Sequence, residues 1–150
     1  MAKNIAALNW DNHCNVVEIS SAELLALYTT PKQLVAAPGV GNVLVFDSIV
    51  VAYDYGGTAY TISGAGNFQV KFTNGSGQAV SEARAATGFI DQSVDKIWLG
   101  PSINAASGGT GGGAANAPLM LCLSSANPTV GNGVLHVKVI YRVHKTGLYA

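Results

Sequence analysis

The chain has 150 residues, with eight basic and eight acidic side chains, 49% hydrophobic residues and only 11% charged ones, against roughly a quarter charged in ordinary soluble domains. That length suits one domain able to bury a core without staples. The cancelled charge removes both the basic stripe that nucleic-acid binding needs and the field that would gather anionic lipid.

From the N-terminus, the apolar stretch in Met1 to Trp10 is interrupted before it becomes a secretory core, and no run approaches the length of a membrane span. Residues 1–15 read as an arm in which Ile5, Leu8 and Trp10 make the segment too apolar for a plain disordered tail. Two readings stand side by side. In one the arm crosses a subunit boundary and orders on binding, with Ile5, Leu8 and Trp10 as candidate interface anchors; in the other it is a strand completing the protomer's own sheet. Asn15 to Ile19 is the first short strand candidate. Ser20 followed three residues later by Glu23 fits a capping box, so Leu24 to Leu27 should complete one or two helical turns before Pro31.

Gln33 to Ala36 is a further strand candidate, and Gly39-Val40-Gly41-Asn42 a turn. Val43 to Tyr53 is apolar on both faces in places, which predicts a central strand covered on both sides, with a bulge near Asp47-Ser48. Thr58 to Ile62 is a weaker strand candidate. Phe68 to Phe72 alternates and runs into Asn74-Gly75-Ser76-Gly77, a turn signal, so it predicts one arm of a hairpin. Ser81 to Ala86 reads as a short helical turn, and Lys96 to Leu99 and Leu119 to Leu123 as strands. Between these two strands, residues 105–115 form a low-complexity glycine-rich stretch without an apolar anchor, expected to be a surface loop. The clearest strand is Leu135 to His144: Leu135, Val137, Val139, Tyr141 and Val143 share one face, His136, Lys138, Arg142 and His144 the other. With so little helix, sheets must cover sheets. The expected fold is all-β, an antiparallel β-sandwich or jelly roll spanning residues 16–150, with at most one or two short helical turns.

Chemical motifs are sparse. Gly108 to Gly113 offers glycines without the Lys and helix that a phosphate loop requires, and Leu44 stands where a dinucleotide-binding glycine would. Asp11, His13 and Cys14 are too few for a four-ligand metal site, and His136 and His144 lie about 26 Å apart at strand rise. Either histidine could instead titrate near neutral pH and modulate an interface. Asp91 and Asp95 read as turn-capping groups rather than an acid/base pair. Cys14 and Cys122 fit no zinc or redox spacing, a disulfide between them stays open but unsupported, and Cys122 reads as a small core residue. No catalytic, metal or cofactor residues are assigned, and an enzyme is not expected. Tyr53, Tyr55 and Tyr60 around Gly56-Gly57, with Trp10 and Trp98, could build a sugar-stacking platform, though aromatics mostly serve burial.

Taken together, Leu34 to Gly41, Tyr53 to Tyr60, Ala86 to Asp91, Asn116 to Leu119 and Tyr141 to Leu148 resemble, in order over roughly residues 16–148, the capsid decoration or cement proteins of tailed bacteriophages. Those motifs are turns and strand ends rather than catalytic signatures. The resemblance implies a β-sandwich protomer, often a homotrimer, on the outer surface of the virion head, where it clamps neighbouring major capsid proteins. It supplies no cofactor and no catalytic residue. Its partners would be the major capsid protein and copies of itself, with no nucleic acid or membrane. The glycine loop and residues 1–15 lie outside the pattern. The alternative expectation is a phage carbohydrate- or receptor-binding β-sandwich of head or tail fibre, discriminated by exposure of Tyr55, Tyr60 or Trp98.

Overall fold

The computed structural model describes residues 12–103 and 114–146. Eight strands form two four-stranded antiparallel sheets. They are β1 (His13–Ile19), β2 (Lys32–Val35), β3 (Asn42–Asp54), β4 (Asn67–Phe72), β5 (Arg84–Ala85), β6 (Lys96–Pro101), β7 (Leu119–Leu123) and β8 (Val134–Lys145). Sheet one has the order β1-β8-β3-β6 and sheet two β2-β7-β4-β5. The first strand pairs with the eighth, the second with the seventh, the third with the sixth and the fourth with the fifth. This is the order produced when a chain doubled back on itself is rolled into two facing sheets, the jelly roll.

Each inner face is laid down by period-two alternation. Leu135, Val137 and Val139 of β8 are fully buried, as are Phe68 and Val70 of β4 and Leu119 and Leu121 of β7. Tyr141 and Val143 follow the same alternation but lie only partly buried against the core. At the centre, Phe68 meets Phe89 edge-on, with ring centroids 5.9 Å apart at 83°, and Tyr53 packs against both Phe89 and Tyr60.

The expected bulge is present: the β3–β8 register slips between Phe46 and Ser48. Asp47, the extra residue, accepts two bonds from the Arg142 guanidinium, at 2.8 and 3.0 Å, so the bulge is clamped from across the ladder. The capping box also forms. Ser20 Oγ accepts from the Glu23 amide and the Glu23 carboxylate accepts from the Ser20 amide, starting α1 (Ser21–Leu24). The Lys32 ammonium, together with that amide, holds the Glu23 carboxyl below its ordinary value of 4.5.

Several expectations need correction. Thr58 to Ile62 is no strand; only Thr61 bridges Thr129, because Tyr60 dives into the core and donates from Oη to the Gly133 carbonyl at 2.6 Å. Ser81 to Ala86 makes no helical turn: Arg84 and Ala85 pair with β4 as β5, and Ser81 is buried with its hydroxyl accepting from the Val70 amide. Residues 13–15 belong to the sandwich, since β1 begins at His13. Ile5, Leu8 and Trp10 lie outside the described residues, as does the glycine stretch apart from Ala114 and Ala115, the latter bridged to Val43.

Tyr60 gives this interior a measurable pH signature. Burial, with a smaller contribution from Tyr53, pushes its phenol from about 10 up to about 12. Folding thus favours the protonated form, and the stabilisation is whole below pH 10 and drains away as pH rises toward 12. Tyr60→Phe is expected to flatten the alkaline limb of the stability curve in urea titrations; an unchanged limb would assign the loss to another group.

Candidate interaction surface

Because β3 is apolar on both faces, the sequence predicts cover on both sides. Among the described residues only one side is covered. Register places Val16, Lys138, Val50 and Leu99 in one row across the outer face of sheet one. The next row holds Glu18, His136, Ala52 and Ile97, and the row on the other side Cys14, Ile140, Ser48 and Pro101. Ile97 is 71% exposed and Leu99 and Val16 are each 69% exposed, so both edge strands of this sheet carry apolar side chains into solvent. Edges of native sheets are usually blunted by charge, proline or a covering element. Here Lys96 and Pro101 stand only at the ends of β6.

Charge on this face runs along β8, from His136 and Lys138 to Arg142 with its partner Asp47, and includes Glu18 on β1. The His136 ring lies between two carboxylates, with Nδ1 3.8 Å from Glu18 and Nε2 4.0 Å from Asp54. The two acids sit against opposite ring nitrogens and cannot converge on one ion, and no cluster of three or more metal-binding side chains occurs among the described residues. His13 stacks on Tyr141 at 5.5 Å rather than joining a ligand set, and Cys14 is exposed beside it in sequence.

The other candidates separate. Cys122 is buried, but register puts it in the row of Gln69, on the outer side of sheet two. Cys14 is on the outer side of sheet one, so the two thiols are divided by the whole sandwich and cannot pair within one chain. Burial raises the Cys122 thiol to about 11. Asp91 accepts from the Gly88 amide at 2.7 Å and Asp95 from the Tyr55 amide at 2.9 Å, turn-fixing roles for both.

Among the described residues, which leave out Trp10, the aromatic platform does not assemble. Tyr60 is 2% and Trp98 8% exposed, and Tyr53 is buried against Tyr60 and Phe89. Trp98 fits because Gly100, the next inward position on β6, has no side chain: a Cβ there would lie 2.7 Å from the indole. Gly131 serves Tyr60 in a similar way; at φ +102 its backbone takes a shape few other residues adopt, and a Cβ would strike the Tyr60 ring at 2.5 Å. Tyr55 is only partly buried and keeps company with the core.

Sequence reasoning missed Val16, Ile97 and Leu99. The signal was present in the alternation of Ile97 and Leu99 with the inward Trp98 and Gly100, but nothing local says that none of the described residues covers this outer face. No family model, no curated protein and no solved structure matches the chain.

Proposed function

We propose that the protein is a structural virion component, a capsid decoration protein that seats the outer face of sheet one on the outside of a bacteriophage head and braces neighbouring major capsid proteins. The observation that carries the reading is the exposed apolar pair Ile97 and Leu99 beside half-buried Val50, with exposed Val16 across Lys138, on the outer face of sheet one among the described residues. Isolated apolar side chains on a surface are ordinary, but a contiguous set on one face marks an interaction surface.

Further support comes from the charge-poor composition, from the jelly-roll order of the strands, and from the resemblance of the turn and strand-end segments to the decoration proteins. Self-association as a homotrimer belongs to the same proposal, with Ile5, Leu8 and Trp10 of the arm as the additional anchors. The pure protein should scatter light as a stable trimer, co-sediment stoichiometrically with heads that lack it, and raise their resistance to heat. A monomer that ignores heads would overturn the proposal.

A further inference from the structure

A second surface lies on the opposite side of the sandwich and has a different chemistry. Beyond α1 the chain runs through Tyr28 and Pro31 into β2, and beyond β4 the turn at residues 73–77 approaches it: a Cβ on Gly75 would sit 3.8 Å from Pro31 Cγ. Between these loops, at the end of β7, is an open groove of about 520 Å³, within the range of roughly 300–1,000 Å³ usual for small-ligand sites.

Both walls are fixed by hydrogen bonds that leave the groove-lining groups unspent. Asn127 Oδ1 accepts from the Tyr28 and Thr29 amides at 2.8 and 3.3 Å, and its amide donates to the Thr29 hydroxyl. This pins the backbone while Tyr28 as a residue stays 44% exposed. Across the groove, Asn74 Oδ1 accepts from the Ser76 amide at 2.9 Å, and Lys71 Nζ donates to the Gly75 carbonyl at 2.8 Å. Asn74 Nδ2, Ser76 Oγ and Tyr28 Oη have no hydrogen-bond partner among the described residues and line the same groove.

We propose that this groove binds a neutral oligosaccharide. An exposed, backbone-fixed aromatic ring offers a face for the C–H side of a sugar, and a free amide, a free aliphatic hydroxyl and a free phenol supply donors and acceptors for its hydroxyls. Among the described residues no carboxylate, Lys or Arg lines the groove, and the nearby Lys71 ammonium is spent on the Gly75 carbonyl, which argues against phosphate or carboxylate ligands, since these call for Arg, Lys or clustered amides. A second hollow of about 280 Å³ lies along the other side of Pro31, floored by Ala22 and Ala26 and closed by the Glu23–Lys32 ion pair. It gives room for a chain longer than one sugar. The site is independent of the capsid reading, because it uses none of the residues of sheet one.

The test uses the full chain with soluble maltotriose, cellotriose and chitotriose in saturation-transfer NMR, and the same sugars coupled to agarose. The first arm reads free oligosaccharide and the second a surface-displayed chain. Binding in either arm, weakened about tenfold or more by Tyr28→Ala and by Gly75→Trp, is the expected result. Gly75→Trp plugs the groove at a position whose added Cβ meets only an ordinary contact, so it should keep the fold. Leu99→Lys should bind sugar as the wild type does. Absence of binding in both arms at millimolar sugar, or binding indifferent to both groove variants, would overturn the proposal. So would preference for 3′-sialyllactose over the neutral sugars.

Discussion

Leu99→Lys is expected to fold like the wild type and to lose attachment to phage heads by roughly a hundredfold or more, the effect of removing one interface hot spot. The first half of this expectation rests on exposure. Leu99 projects from the outer face of the edge strand β6 and is 69% exposed, and substitutions at such positions usually change stability by less than about 0.5 kcal/mol. The second half rests on what docking would do to the new ammonium. Seated against a protein surface it would be desolvated without an acid placed to meet it, and Lys138, one strand beyond Val50 in the same row, adds like charge. Sedimentation with decoration-free heads over a concentration series, paired with circular dichroism, separates binding from folding. Wild-type affinity would remove sheet one from the interface, and Ile97→Ser provides a milder second reading of the same face.

Phe68→Ala acts on the other side of the ledger and should cost about 3–5 kcal/mol. Phe68 is fully buried on β4, opposite Leu123 on one side and Arg84 on the other, and stands edge-on to Phe89. Removing the ring opens a cavity between the two sheets where Phe89, Tyr53 and Tyr60 lean on one another, and none of them can collapse inward without giving up its own contacts. Set against a total stability of about 5–15 kcal/mol for a typical domain, the variant should unfold at a much lower urea concentration with a similar slope. A loss below about 1 kcal/mol would show that the aromatic cluster is not what joins the sheets.

What could be read from the chain in advance follows the range of the forces involved. β4 and β8 were legible because alternation of apolar and polar residues is a local pattern, β7 because it is a short unbroken apolar run, and the Ser20–Glu23 box because both partners lie within one turn. The bulge at Asp47 was legible because the alternation of β3 changes phase there, though its clamp, Arg142, could be found only once β8 was laid beside β3. Segments that depend on a distant partner were misread. Thr58 to Ile62 has strand-like residues, but Tyr60 is drawn inward by Gly133, and Ser81 to Ala86 has helix-forming residues that instead supply a short edge to β4. The interaction face was half legible: the double-sided apolarity of β3 was plain, while its exposure depends on which strands follow and where they stop. The groove at Tyr28 had no local signal, because its walls come from loops more than forty positions apart.

The doubling back of the chain also sets the order in which its pairings become affordable. Closing a loop costs conformational freedom in proportion to the logarithm of its length. The fold point lies between β4 and β5, so that pair, with the turn that brings Ala79 back to Lys71, spans little sequence. Each pair further out spans more, until β1 joins β8 with His13 opposite Tyr141. Assembly from the middle outward is therefore the route of least entropic resistance, at the slow rates typical of topologies dominated by distant contacts. The strand secured last, β1, pairs among the described residues with β8 alone in the sheet, carries Val16 into solvent, and continues the segment that holds Ile5, Leu8 and Trp10. The costliest closure in the molecule and its proposed contact surface thus meet on a single strand.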